Sequence, residues 1–137
     1  MMRLAHAVMA LLFFFGAAVQ WNDPDPARWM AIYLGAAIAC LLTALGRGHW
    51  ALAALVGAVA LAWAATLAPA VLGKVEPTEL VDAWEMKDAR VEVGREMYGL
   101  LIIAAWMGLT VVTERRRRAR SRSGYRATRA PRRARRG

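Results

Sequence analysis

Four stretches of this chain, Leu4 to Val19, Trp29 to Leu45, Trp50 to Ala68 and Met97 to Thr113, contain no Asp, Glu, Lys or Arg. No other feature limits the fold so tightly. A helix needs about 20 apolar residues to cross roughly 30 Å of hydrocarbon, and apolar runs of this length on a soluble domain would leave large greasy patches in water. The runs are read as membrane spans at about 4–20, 28–45, 50–68 and 97–113, joined by a polar segment at 70–96. The expected fold class is an all-α integral membrane protein, a four-helix antiparallel transmembrane bundle. The first run also has the basic start and small residues (Gly16, Ala17, Ala18) of a signal peptide. With a single Arg ahead of it, it is read as a retained span.

The formal charge of +9 is not a property of the whole chain. Residues 1–113 hold seven basic and nine acidic side chains, a net of −2, whereas residues 114–137 hold twelve Arg against Glu114, a net of +11. The tail, rich in Arg, Ser, Gly, Ala and Pro and without apolar periodicity, is expected to be disordered and cytoplasmic. Arg3, Arg47 and the tail share one side of a four-span arrangement. The other side has Arg28, Lys74, Lys87, Arg90 and Arg95 together with all nine acidic residues of the body. The positive-inside rule then puts both termini in the cytoplasm. Seventeen Arg against two Lys, with abundant Ala, is the coding bias of a GC-rich genome, so a bacterial inner membrane is expected.

Between the first two spans lies Gln20-Trp21-Asn22-Asp23-Pro24-Asp25-Pro26. Asp25 before Pro26 reads as a helix start, the carboxylate accepting from free N–H groups and proline occupying a position where no donor is lost. Gly46-Arg47-Gly48-His49 reads as a tight turn into the third span, which is expected to stop before Pro69. Ala31, Gly35, Ala39 and Thr43 recur every four residues, as do Ala54, Ala58, Ala62 and Thr66, and such small stripes let membrane helices approach closely. Pro77 and Thr78 are read as starting a helix. At about 100° per residue, Glu85, Asp88, Glu92 and Glu96 then share one acidic stripe, with Leu80, Trp84 and Val91 on an apolar one.

The runs of residues also resemble those of the transmembrane protein 220 family. The resemblance lies in the Gln20 to Pro26 hinge, the short second hairpin, and Glu92-Val93-Gly94-Arg95-Glu96 leading into Tyr98-Gly99-Leu100-Leu101-Ile102-Ile103 with Trp106. It covers about residues 10–112 and leaves the basic tail outside. It implies a small polytopic four-helix protein, brings no catalytic residues, and points to Asn22, Asp23, Asp25, Arg95 and Glu96.

Spans without charge speak against a proton-coupled transporter, a pump or an intramembrane protease, all of which need ionisable groups at depth. His6, one turn from Arg3, is expected to be a neutral interfacial histidine, and Cys40 a buried inert thiol with no disulfide partner. No zinc-enzyme spacing, nucleophile with its base, or phosphate-binding glycine loop is present, so no catalysis and no cofactor are expected. The candidate site is the outer face: Asn22, Asp23, Asp25, Arg28, Glu92, Arg95 and Glu96. These are read either as a solvated, capped helix face or as oxygen ligands for Ca²⁺ or Mg²⁺, with Arg28 and Arg95 available to neutralise them. Arg115, Arg116, Arg117 and Arg118 are expected to meet anionic inner-leaflet lipid in preference to nucleic acid. The expected role is a non-catalytic scaffold or partner-binding subunit with a membrane-protein partner; the alternative is a cation- or ligand-binding accessory to transport.

Overall fold

The computed structural model describes residues 1–23, 25–74 and 89–133, with side chains described within 1–23, 25–74 and 91–121. Four long helices make up the described chain: α1 (Met2–Val19), α2 (Pro26–Ala44), α3 (Trp50–Val71) and α4 (Ala89–Arg133). One 3₁₀ turn, Gln20–Asn22, closes α1. Each helix contains a stretch long and apolar enough to cross a membrane: Met2–Asn22, Pro26–Ala44, Trp50–Val71 and Val91–Ser121.

The bundle is two hairpins side by side. α1 packs chiefly on α2 and α3 on α4, while α2 joins the pairs by touching both α3 and α4. Inside, Leu100, Ile103 and Met107 of α4 are wholly covered, as are the small residues Ala36, Cys40 and Ala60 opposite them. Their spacing of three and four residues keeps the three large α4 side chains on one face. Outside, Leu4, Leu11, Phe14 and Phe15 of α1, Leu55 and Leu61 of α3, and Ile102 of α4 are exposed. In water that surface would aggregate, but in hydrocarbon it is the matched one. Burial therefore contributes no hydrophobic drive between helices here, and close van der Waals fit does the work. At Gly57 that fit is tight, since a β-carbon would sit 2.9 Å from Cβ of Met107.

The small stripes need correction on α3. On α2, Val56 approaches within 3.3 Å of where Gly35 would carry a β-carbon, and Ala39 and Thr43 are buried, but Ala31 is exposed. On α3, Ala58, Ala62 and Thr66 face outward, and the buried small residues are Ala53, Ala60 and Ala64. An Ala-rich helix offers several small stripes, and large residues on the facing helix decide which one is used.

Two ends also run past expectation. α3 continues through Pro69 to Val71: the proline ring holds a φ compatible with helix and takes away one backbone donor, and Lys74 Nζ donates at 3.0 Å to the Pro69 carbonyl, one of those the helix end leaves without an intrahelical partner. α4 runs unbroken from Ala89 to Arg133, so the segment expected to be disordered from Glu114 continues the last helix. Arg and Ala are strong helix formers, and the first residues beyond Thr113 are tied to the α2–α3 turn. Of the polar segment, 75–88 lies outside the described residues, and with it Glu85, Asp88, Leu80 and Trp84.

Candidate functional site at the acidic rim

The bundle has two rims. One holds the α1–α2 hinge and the start of α4, with Asp23, Asp25, Glu92 and Glu96; the other holds the start of α1, the α2–α3 turn and the Arg run of α4, with Glu114.

At the acidic rim the hinge is built by local hydrogen bonding. The 3₁₀ turn ends at Asp23 in extended conformation, and Asp23 Oδ1 accepts from the Asp25 backbone N–H at 3.1 Å, a turn that short acidic side chains favour. Pro26 then opens α2, with Asp25 in the capping position. The Asp25 side chain makes no cap hydrogen bond, which corrects the expectation for that residue. Its carboxylate pairs with Arg28 one turn on, because a long cation within reach competes with the backbone donors. Arg28 in turn lies 5.5 Å from the Trp63 ring, which stacks on Trp29 at 4.3 Å.

Behind the hinge, Tyr33 wedges between α1 and α4. A β-carbon on Gly16 would lie 2.9 Å from its ring, and one on Gly99 would lie 2.9 Å from its hydroxyl. Both glycines let the ring in. The wedge holds α4 off the hinge and leaves a cleft of about 240 Å³ lined by Gln20, Asp23, Trp29, Tyr33, Glu92, Arg95 and Glu96. Asp23, Glu92 and Asp25 act on Glu96 as like charges and Arg28 as the opposing one.

Of the seven residues singled out, Asp23, Glu92, Arg95 and Glu96 meet in this cleft. Asn22 is exposed on the hinge, and Asp25 and Arg28 are occupied with each other beside it. Val91 of the expected apolar stripe is buried. Among the described residues, no three His, Cys, Asp or Glu side chains converge as a metal site would require. Gln20, Trp29 and Tyr33 complete the walls and were missed; for Trp29 and Tyr33 the separation of four that puts them on one helix face was the available signal.

At the basic rim the α2–α3 turn is fastened to α4. Gly46, at φ 78°, takes the left-handed conformation that ends α2, with its N–H donating to the Thr43 carbonyl at 3.0 Å. Gly48 is buried so tightly that a β-carbon would sit 2.6 Å from Thr43 Oγ1 and 2.9 Å from the Glu114 carboxyl carbon. Glu114, read as the first residue of a solvated tail, is only 3% exposed, and the Arg117 guanidinium lies 3.4 Å from its Oε2. Arg117 and Arg118 donate to the carbonyls of Gly46 and Gly48 at 2.9 and 3.2 Å, and Arg115 covers the Trp50 ring at 4.2 Å. His6 is packed inside the bundle: it is 2% exposed, edge-on to Trp106 with ring centroids 5.5 Å apart, and neither ring nitrogen has a hydrogen-bond partner among the described residues. A lone acid at the head of twelve Arg was the signal for Glu114. Nothing in the local pattern marked His6.

Four apolar helices, uncharged through their middles and carrying their charged side chains at two rims, define a polytopic helical membrane protein. A family model described as Transmembrane family 220, helix, matches residues 12–112, and the chain belongs to that family. No solved structure matches it.

Proposed function

We propose that this protein is a non-catalytic, partner-binding subunit of a bacterial inner membrane, with both termini in the cytoplasm and the acidic rim outside. The positive-inside bias supports the orientation, and the Arg- and Ala-rich composition supports the source. The cleft carries the functional reading. At about 240 Å³ it is smaller than the roughly 300–1,000 Å³ of small-molecule pockets, the size of a single side chain. Three carboxylates to one guanidinium, with Trp29 and Tyr33 as walls, suit a Lys or Arg side chain of a membrane-protein partner.

Purification in mild detergent tests this. The parent is expected to carry a companion protein in fixed ratio. The double variant Asp23→Asn, Glu96→Gln is expected to lose it while melting at the same temperature. A parent that always purifies alone would contradict the reading.

The same acid excess favours a second reading, a cation- or ligand-binding accessory to transport. Calorimetric titration of the parent with divalent cations and with a primary amine separates the two: no heat in the parent removes the ligand-handling reading. At the opposite rim the Arg run is assigned to anionic inner-leaflet lipid, where each basic residue near the surface contributes about 1 kcal/mol.

A further inference from the structure

We propose that the basic rim forms a discrete site for the phosphate group of one anionic phospholipid, made by Arg3 of α1 with Arg116, Arg117 and Arg120 of α4. The proposal deepens the assignment of this rim to anionic lipid and rests on it. Arg116, Arg117 and Arg120, with Thr113 and Ser121, line a groove of about 360 Å³, within the range of ligand clefts. Arg3, from the other end of the chain, lies next to Arg117 at the edge of this groove. Its guanidinium lies 3.1 Å from the point where a β-carbon on Gly46 would sit, and that of Arg117 lies 3.7 Å from the same point, so two cations from different helices converge on the turn.

Two further Arg residues of the run are engaged elsewhere. Arg115 lies over Trp50, and Arg118 is bonded to the Gly48 carbonyl on the α3 side. Glu114 faces the group but is buried beneath Arg117, so the four exposed guanidiniums outnumber the one acid. Like charges held together repel, and an anion seated between them removes that cost.

The hydroxyls at the groove are already committed, Thr113 donating to the Thr110 carbonyl at 3.0 Å and Ser121 to the Arg117 carbonyl at 3.1 Å. Recognition therefore falls to guanidinium forks, whose geometry matches phosphate oxygens. A lipid fits better than a soluble phosphate because Leu109 and Val112, one turn below on the same helix face, are exposed and offer a surface for acyl chains.

Native mass spectrometry of the full-length protein in neutral detergent tests the site, with phosphatidylglycerol, phosphatidylcholine and inorganic phosphate as separate probes. The parent is expected to retain one phosphatidylglycerol in preference to phosphatidylcholine. Arg3→Gln should weaken retention about fivefold. The pair Arg116→Gln, Arg120→Gln should weaken it at least as much while leaving the bonds to the turn intact, and Arg115→Gln should weaken it less than twofold. Equal losses for Arg3→Gln and Arg115→Gln would overturn the discrete site and leave a diffuse basic surface. A parent with no preference for the anionic lipid would overturn the lipid assignment itself, and displacement by equimolar inorganic phosphate would overturn a lipid as the occupant.

Discussion

Both rims put a carboxylate beside arginines on α4, and the two neighbourhoods have opposite characters. At one end Glu92, Arg95 and Glu96 stand around an open cleft, held back from the hinge by the Tyr33 wedge. At the other, Glu114 sinks beneath Arg117 against Gly48, Arg117 and Arg118 fasten the α2–α3 turn to α4, and Arg115 covers Trp50 at the start of α3. The deciding feature is the residue opposite. A glycine without a side chain admits the carboxylate and lets the turn lie tight against α4, whereas at the other rim the glycines admit a tyrosine ring and a cleft is left between hinge and helix. An acid next to arginine is thus a fastener at one end and part of a receptor at the other.

Substitutions that reverse these neighbours test the contrast. Gly48→Val should have the largest effect. The clash takes in Thr43 Cα at 3.0 Å, backbone that no side-chain rotation relieves, so a loss of about 3 kcal/mol is expected, read as a large fall in the thermal midpoint in detergent. Gly99→Ala makes a contact of 2.9 Å at the acidic rim, but only with the far end of Tyr33, which can swing into the cleft. It should cost about 1 kcal/mol or less and should narrow the cleft enough to reduce partner retention. If Gly99→Ala proved as damaging as Gly48→Val, the acidic rim would be as rigid as the basic one and the contrast would fail. The smallest effect is expected for Asp25→Asn. It breaks an exposed pair with Arg28, so the stability change should stay within about 0.5 kcal/mol, measured by the same thermal scan.

The spans, the hinge and the two-sided charge distribution were legible because each follows from the cost of placing charge in hydrocarbon, which acts residue by residue along a sequence. Asp23, Glu92, Arg95 and Glu96 were legible as a group for the same reason, being polar residues that must share one surface. What the chain concealed depends on which helix faces meet. Ala54, Ala58 and Ala62 make as good a small stripe as Ala53, Ala60 and Ala64, and only the bulk of Leu100, Ile103 and Met107 opposite chooses between them. His6 is buried by Trp106, a residue 100 positions away. Asp25 sits where a capping residue should, but Arg28 draws its carboxylate away. Glu114 looked like part of a solvated run because its partner surface, the pocket at Gly48, is made by a missing side chain.

Site-directed labelling across the intact membrane tests the central claim, that the acidic and basic rims lie on opposite sides of the bilayer with the acidic one outside. In a Cys40→Ala background, single substitutions Asn22→Cys, Lys74→Cys, Arg47→Cys and Arg120→Cys are treated with a membrane-impermeant thiol reagent. The account predicts that Asn22→Cys and Lys74→Cys react in intact cells, and that Arg47→Cys and Arg120→Cys react only once the membrane is opened. Reaction of Lys74→Cys in the same compartment as Arg120→Cys, or of Arg47→Cys from outside, would contradict it.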